Sequence, residues 1–476
     1  MRDYPMEHST RRWTQYVFGD RKFYGIVFAI VLPMIIQNSI SSFVNLLDNL
    51  MVGQLGRDLM AGVSIANRMM FVYMICIFGG ISAASIFGAQ FFGAKDYEGV
   101  RAATRFKLYV SVGIFALATV VFVQFGEKLL SLFMNEKESA EAVAQTLAAG
   151  KGYLMIMILG LLPFALSQAY ASTLREAGET MLPMYAGISA VLTNLVGNYI
   201  LIFGHLGAPA LGVFGAAIAT VISRFVELAI IVIAAHRNKA KYYFLEGLYR
   251  TLKVPAQTVR RIVIRGFPLL ANEAIWAIGT WYLARYYAMR GLDVVAGMNI
   301  SDTVSQLFNT VVFAMGNAVA VLVGQALGAD EVQRAKTTAW RLISFSIMVS
   351  VAVGVLLAIV SPFVPNLYKV EAGPRAYATD FMLILAATMP TMAFAHCCYF
   401  TLRSGGKTIM TFVFDCASLW LITIPLVYVL IYHTNLSIQW VYAIGQLTNL
   451  IKCVLGFYLV KKGVWIHNIA KETVSA

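Results

Sequence analysis

The chain has 476 residues, 59% of them hydrophobic and only 13% charged, with a mean hydropathy of +0.71 and a formal charge of +13. A soluble domain is nearer one quarter charged, so a soluble enzyme or interaction module is excluded. Apolar runs of about 20 residues replace the alternating ~10-residue segments of a β-barrel, and each is long enough to cross a hydrocarbon core.

In chain order, twelve spans are expected near 25–51, 60–92, 103–125, 143–173, 181–204, 211–235, 266–289, 295–326, 337–361, 376–402, 408–433 and 437–460. The fold class is therefore all-α and polytopic. Residues 1–24 are polar and the apolar run after them is longer than a signal-peptide core, so the first helix is expected to remain in the mature protein. Residues 25–235 form one set of six helices, 236–265 a linker, 266–460 the second set, and 461–476 a tail.

The loops on the N-terminal side hold most of the 37 Lys and Arg, counting Arg105 and Lys107 with the basic stretch that begins at Lys95. That bias places both termini in the cytoplasm. The excess positive charge thus reads as orientation, not nucleic-acid binding. The basic 237–265 loop has a secondary reading as a contact for anionic lipid. Cys76, Cys397, Cys398, Cys416 and Cys453 all fall in apolar runs and read as small buried residues.

The two halves are related. AGVSIAN at 61–67 recurs as AGMNISD at 296–302, and Gln90, Gly93 and Ala94 recur as Gln325, Gly328 and Ala329, all at an offset of 235; LREAGET at 174–180 returns as LRSGGKT at 402–408. An even number of spans per half makes these parallel repeats about an axis normal to the membrane.

Ionisable groups at membrane depth are costly, and so mark functional sites. Asp48, with Asn45 and Asn49 near it, lies in a first span otherwise free of charge. Asn194 and Asn198 share a helix face at i,i+4. Glu273 follows Asn272 seven residues into the seventh span, and Trp276 and Trp281 come after it. Asp302 stands at the repeat position of Asn67, and Asp415 seven residues into the eleventh span. The alternative for Asp302 and Asp415 is an ion pair with a basic residue such as Arg68, Lys151, Arg285 or Lys452. Arg224 and Glu227, at i,i+3, read as a structural pair. His396-Cys397-Cys398 reads as packing. No catalytic constellation and no Gly-rich nucleotide loop stands out, so neither an enzyme nor an ATP-driven pump is expected.

LLDNLMVGQLG at 46–56, LREAGETMLPM at 174–184, NLVGNYILIFGHLGAPALGVFGAAIATVIS at 194–223 and AVLVGQALGA at 320–329 resemble the multidrug and toxic compound extrusion (MATE) family across all twelve spans. The resemblance implies two six-helix bundles in a V shape, and cation-coupled (H⁺ or Na⁺) antiport of organic cations or drug-like compounds. It carries an ion-coupling site onto Asp48, Asn194, Asn198 and Thr220, and a seventh-helix acid onto Glu273. In some family members an acid stands at the position of Asn198, and in others a tenth-helix acid stands at the position of Met392. The reading is a secondary active exporter in the plasma (inner) membrane, monomeric, with Asp48, Asn194, Asn198 and Thr220 for ion coupling. Glu273, Asp302, Asp415 and Trp276 are assigned to substrate or proton. Its partners are a cationic, amphipathic small molecule and the bilayer; the coupling ion is the only cofactor-like species expected, with no metal and no nucleic acid. The alternative cargo is a lipid-linked or other amphipathic metabolite, for which a row of Arg and Lys along the cavity is expected; a channel would instead need a ring filter.

Overall fold

The computed structural model describes residues 16–132, 139–368 and 370–474, and in these the chain is helical throughout with no strand. Residues 1–15 of the expected N-terminal segment, and the side chains of Asn45 and Asn49, lie outside the described residues. Twelve helices have the length and composition to cross a membrane. They are α1 (Arg21–Gly53), α2 (Arg57–Gly93), α3 (Tyr97–Ser131), α4 (Ala140–Glu176), α5 (Met181–Phe203) and α6 (Val213–Arg237), then α7 (Ala256–Ala288), α8 (Leu292–Gly328), α9 (Val332–Val360), α10 (Ala372–Ser404), α11 (Thr408–His433) and α12 (Ile438–Lys462). A short α13 (Ile469–Val474) follows.

Several helices outrun the expected spans. The 37 residues of α2, α4 and α8 correspond to about 55 Å at 1.5 Å per residue, well beyond a ~30 Å core. α3 shows why the sequence understates them. Asp96 caps it by accepting from the Gly99 amide at 2.9 Å, a polar start that hydropathy scores as loop. Arg105 and Lys107, counted with the basic loop, therefore sit inside α3, and both are buried. Lys107 Nζ is within 2.5 Å of Glu176 Oε1 at the end of α4 and donates to Thr173 Oγ1 at 3.2 Å. Its charge is neutralised internally and does not face the aqueous side as the orientation count assumed.

The chain divides into two compact units. The amino-terminal unit is 33–92 with 96–266; the carboxy-terminal unit is 267–476 with 93–95 and the described part of 1–32. Each has the same internal pairing. In the first, α3 packs on α4, and α4 and α5 both pack on α6; in the second, α9 packs on α10, and α10 on α12. Counterparts are six helices apart, as the sequence repeats require. Small residues let the backbones approach: a Cβ at Gly62 would lie 2.4 Å from the Thr146 carbonyl oxygen, and one at Gly354 would lie 2.6 Å from that of Ala386. The amino-terminal core gathers Met69, Tyr73, Ile77, Leu154, Leu161 and Ala165. In the other unit Ile300, Val304, Met382 and Met389 do the same.

The expected linker is shorter as a non-helical stretch, because α6 runs to Arg237 and α7 begins at Ala256. What lies between is pinned to the amino-terminal unit. Arg105 donates from Nε to the Leu248 carbonyl at 2.8 Å and from Nη1 to Glu98 at 2.8 Å. Lys241 pairs with Glu179 at 2.5 Å. The hydrogen bond it donates to Glu179 holds the Lys241 ammonium above its usual range.

Candidate functional site

In the amino-terminal unit, α1, α5 and α6 bring four polar residues into one hydrogen-bonded chain. Asn198 is fully buried; its Nδ2 donates to Asp48 Oδ1 at 2.5 Å and to Asn194 Oδ1 at 3.3 Å. Asn194 Nδ2 donates to Thr220 Oγ1 at 3.0 Å, and that hydroxyl donates to the Ala216 carbonyl at 2.9 Å. The i,i+4 spacing on α5 aligns the two amides, and the helical back-bond fixes the hydroxyl so that its lone pair faces Asn194. Tyr153 on α4, hydrogen-bonded by Asn67, lies within electrostatic reach of Asp48.

Two features give this chain chemical meaning. Among the described residues, Asp48 is bonded to a neutral amide and not to a base. The nearby cation, Arg224, one turn beyond Thr220, is held by Glu227 at 3.4 Å and stacks over Phe164 at 4.9 Å. The second feature is Asn198 Oδ1, which is buried without a hydrogen-bond partner. A buried oxygen left unpaired costs about 1–3 kcal/mol. With the Asp48 carboxylate, to which the same amide is bonded, it offers the hard oxygens that suit a small cation.

In the carboxy-terminal unit, a cavity of about 690 Å³ is lined by Glu273, Asp302, Asp415 and Trp276, so all four residues of the second expected set share one space. The two bases on its wall are Arg403 and Lys452. Asp415 is not free: Lys452 Nζ pairs with its Oδ1 at 2.7 Å, and Asn272 Nδ2 donates to its Oδ2 at 3.3 Å. The ion pair, one of the alternatives set against a substrate role, is thus present, and Lys452 is the partner. Arg403 lies over Phe400 at 5.2 Å.

Local backbone form places Asp415. α11 is π-helical at Val413–Ala417 and again at Leu419–Thr423, and such wide turns re-aim side chains, often at functional sites. Cys416 Sγ donates to Asn272 Oδ1 at 3.1 Å, and Trp420 Nε1 to the Ile275 carbonyl at 3.1 Å. These bonds tie α11 to α7 just after Asp415. Trp276 keeps 44% of its surface exposed and presents an aromatic wall near Glu273. His396 also lines the cavity, against Phe313 and Phe400, while Cys397 and Cys398 are buried.

Arg403, Tyr399 and His396 were not singled out for the site. The available signal was the LRSGGKT repeat: its Arg403 ends α10, and Tyr399 precedes it at i−4, on the same face. Among the described residues no cluster of three or more His, Cys, Asp or Glu has metal-binding geometry.

Known proteins can be set beside this geometry. A family model described as MatE matches residues 33–200 and 270–429. A probable multidrug resistance protein NorM from Thermotoga maritima is 22% identical over 447 residues, covering 92% of each chain. The uncharacterized transporter YisQ of Bacillus subtilis is 23% identical, covering 94% of this chain and 91% of its own. Among solved structures, the Vibrio cholerae MATE transporter VcmN superposes with a TM-score of 0.84 at 17% identity, over 96% of this chain and 99% of that one. A MOP superfamily transporter from Pyrococcus furiosus, described as having a binding pocket of reverse polarity, gives 0.79 at 19% identity, over 96% and 99%. With a family model spanning well over half its length in both units, this twelve-helix chain belongs to the MatE family of multidrug and toxic compound extrusion membrane transporters.

Proposed function

We propose that the protein exports amphipathic organic cations by antiport against an inward flow of H⁺ or Na⁺, using Asp48, Asn198, Asn194 and Thr220 to sense the ion. The observation that carries this reading is the hydrogen-bonded chain from Asp48 to Thr220, with the Asn198 oxygen buried and unpaired. An ion drives a conformational change only by binding one state better than the other. A lone carboxylate among amides is suited to that, since filling or emptying it changes the local charge without breaking an ion pair. Glu273 and Trp276, on the cavity wall of the other unit, supply a carboxylate and a ring face, the pair a flat cation favours. The names of relatives in which multidrug resistance is stated as probable agree with this cargo.

A lipid-linked sugar is the less favoured cargo. Of the two bases on the cavity wall, Lys452 is already bound to Asp415, so no row of free bases is available for a diphosphate. The test is efflux of ethidium from proteoliposomes, with Na⁺ and H⁺ gradients imposed separately and the topology fixed by oriented reconstitution. One of the two gradients is expected to drive efflux. Failure of both across a broad panel of organic cations overturns the reading.

A further inference from the structure

The amino-terminal unit carries a second cavity, unrelated to the polar chain. It holds about 550 Å³ and lies among α3, α4, α6 and the ordered loop between α6 and α7. Its walls are apolar, with Val112, Leu166, Phe225, Ala229 and Ile233 among them. Phe225, Ile233 and Val112 are about half exposed, so the groove opens sideways from the helices, where a membrane protein meets lipid tails.

One end of the groove is different. Tyr249 and Leu252, from the loop, form its roof, and the roof is fixed. Tyr109 Oη donates to the Leu252 carbonyl, Tyr170 Oη bonds Tyr249 Oη and His236 Nε2, and Arg105 holds the Leu248 and Lys253 carbonyls. Basic residues stand next in the chain to the residues that line this end. Arg237 follows Ile233 at i+4 on the groove-lining face of α6, while Arg250 and Lys253 flank the two roof residues; all three are exposed. The acids nearby are few: Glu98 is bound to Arg101 and Arg105, Glu179 to Lys241, and Glu246 is exposed in the loop.

We infer that this groove is a binding site for an anionic phospholipid, with one acyl chain along α3, α4 and α6 and the phosphate headgroup on Arg237, Arg250 and Lys253. Charge complementarity selects this occupant. An apolar slot ending at an uncompensated basic rim matches a molecule that is apolar along its length and anionic at one end. Such rims favour acidic lipids, and a cationic drug would meet repulsion there.

The experiment is native mass spectrometry of the purified, delipidated protein incubated with equimolar phosphatidylglycerol and phosphatidylcholine. The wild type is expected to retain phosphatidylglycerol preferentially. Arg237→Gln, Arg250→Gln and Lys253→Gln should each reduce that preference by about fivefold, from roughly 1 kcal/mol per basic residue. Ala229→Trp, which fills the groove and leaves the basic rim intact, should lower retention of both lipids. Thermal melts of each variant in detergent confirm folding; should Ala229→Trp not fold, Ile233→Phe takes its place. Equal retention of the two lipids by the wild type overturns the inference. So does unchanged phosphatidylglycerol retention in the folded groove-filled variant, or capture of the chain's own N-terminal peptide by a photo-cross-linker at Ala229.

Discussion

In the amino-terminal unit, Asp48 is bonded by Asn198, and the relay continues through Asn194 to Thr220 without meeting a base among the described residues. In the carboxy-terminal unit, three carboxylates share a cavity with two bases, and Asp415 is paired with Lys452 at 2.7 Å. The helices around them pair alike, so beyond the π turns of α11 the difference is electrostatic. A carboxylate held by amides can exchange a cation at modest cost. A carboxylate bound to an ammonium first has to break that bond, and losing one partner of a shielded pair costs about 3 kcal/mol or more. The repeats thus supply two copies of a scaffold, and in the proposed function ion exchange falls to one and cargo contact to the other.

The largest effect is expected at Asp48. Asp48→Asn keeps the shape and can still meet the Asn198 amide once that amide turns over, yet it removes the charge the ion needs. Gradient-driven efflux in proteoliposomes should fall by about 100-fold, the upper range of site-to-site coupling, with the thermal melt little changed. Full coupling in Asp48→Asn would transfer the ion-sensing role elsewhere and dissolve the comparison.

Next comes the pair in the other unit. Lys452→Met leaves Asp415 with Asn272 alone and should destabilise the protein by about 3 kcal/mol. Asp415→Asn combined with Lys452→Met should recover most of that loss. The measurement is a double-mutant cycle of unfolding in detergent. A coupling energy near zero would mean that Asp415 is free for substrate after all.

Glu273 has a smaller and more selective effect. Because it lines the cavity beside Trp276, Glu273→Gln should raise KM for cationic cargo by about tenfold, or 1.4 kcal/mol. Zwitterionic cargo should be little affected. A uniform loss across charge types would show that Glu273 acts on the transport cycle and not on the cargo.

Much of the geometry of the two polar groups was legible in the sequence. Asp48, Asn194 and Asn198 stood out because an acid and an i,i+4 amide pair are conspicuous in apolar helices, and Thr220 came from the motif around 194–223. The structure joins all four. Pairing across helices was not legible: Asp415 had several possible bases, and only packing of α11 on α12 selects Lys452. Nor do the π turns of α11 have a sequence signature, since they depend on the bonds that Asn272 and Ile275 offer from α7. Lys107 and Arg105 were misplaced for a related reason. Hydropathy scores a buried, paired cation as if it were in water, whereas Glu176 and the loop carbonyls satisfy these two inside the protein.

Thr220→Val tests the far end of the relay with the smallest change. Valine keeps the β-branched shape that α6 packs, and it removes the oxygen that accepts from Asn194 Nδ2. Asn194 is only half-buried, so water can replace part of the lost bond. The cost should be near the low end for an orphaned amide, about 1 kcal/mol, which is about fivefold in an equilibrium constant. If the relay shapes the ion site, that factor appears as a higher coupling-ion concentration for half-maximal efflux, with KM for cargo unchanged. If the shift appears instead in KM for cargo, the two units share both tasks and the assignment of one task to each fails. The same assay on Glu273→Gln should show the opposite pattern, so the two variants, measured together, separate a divided transporter from a blended one.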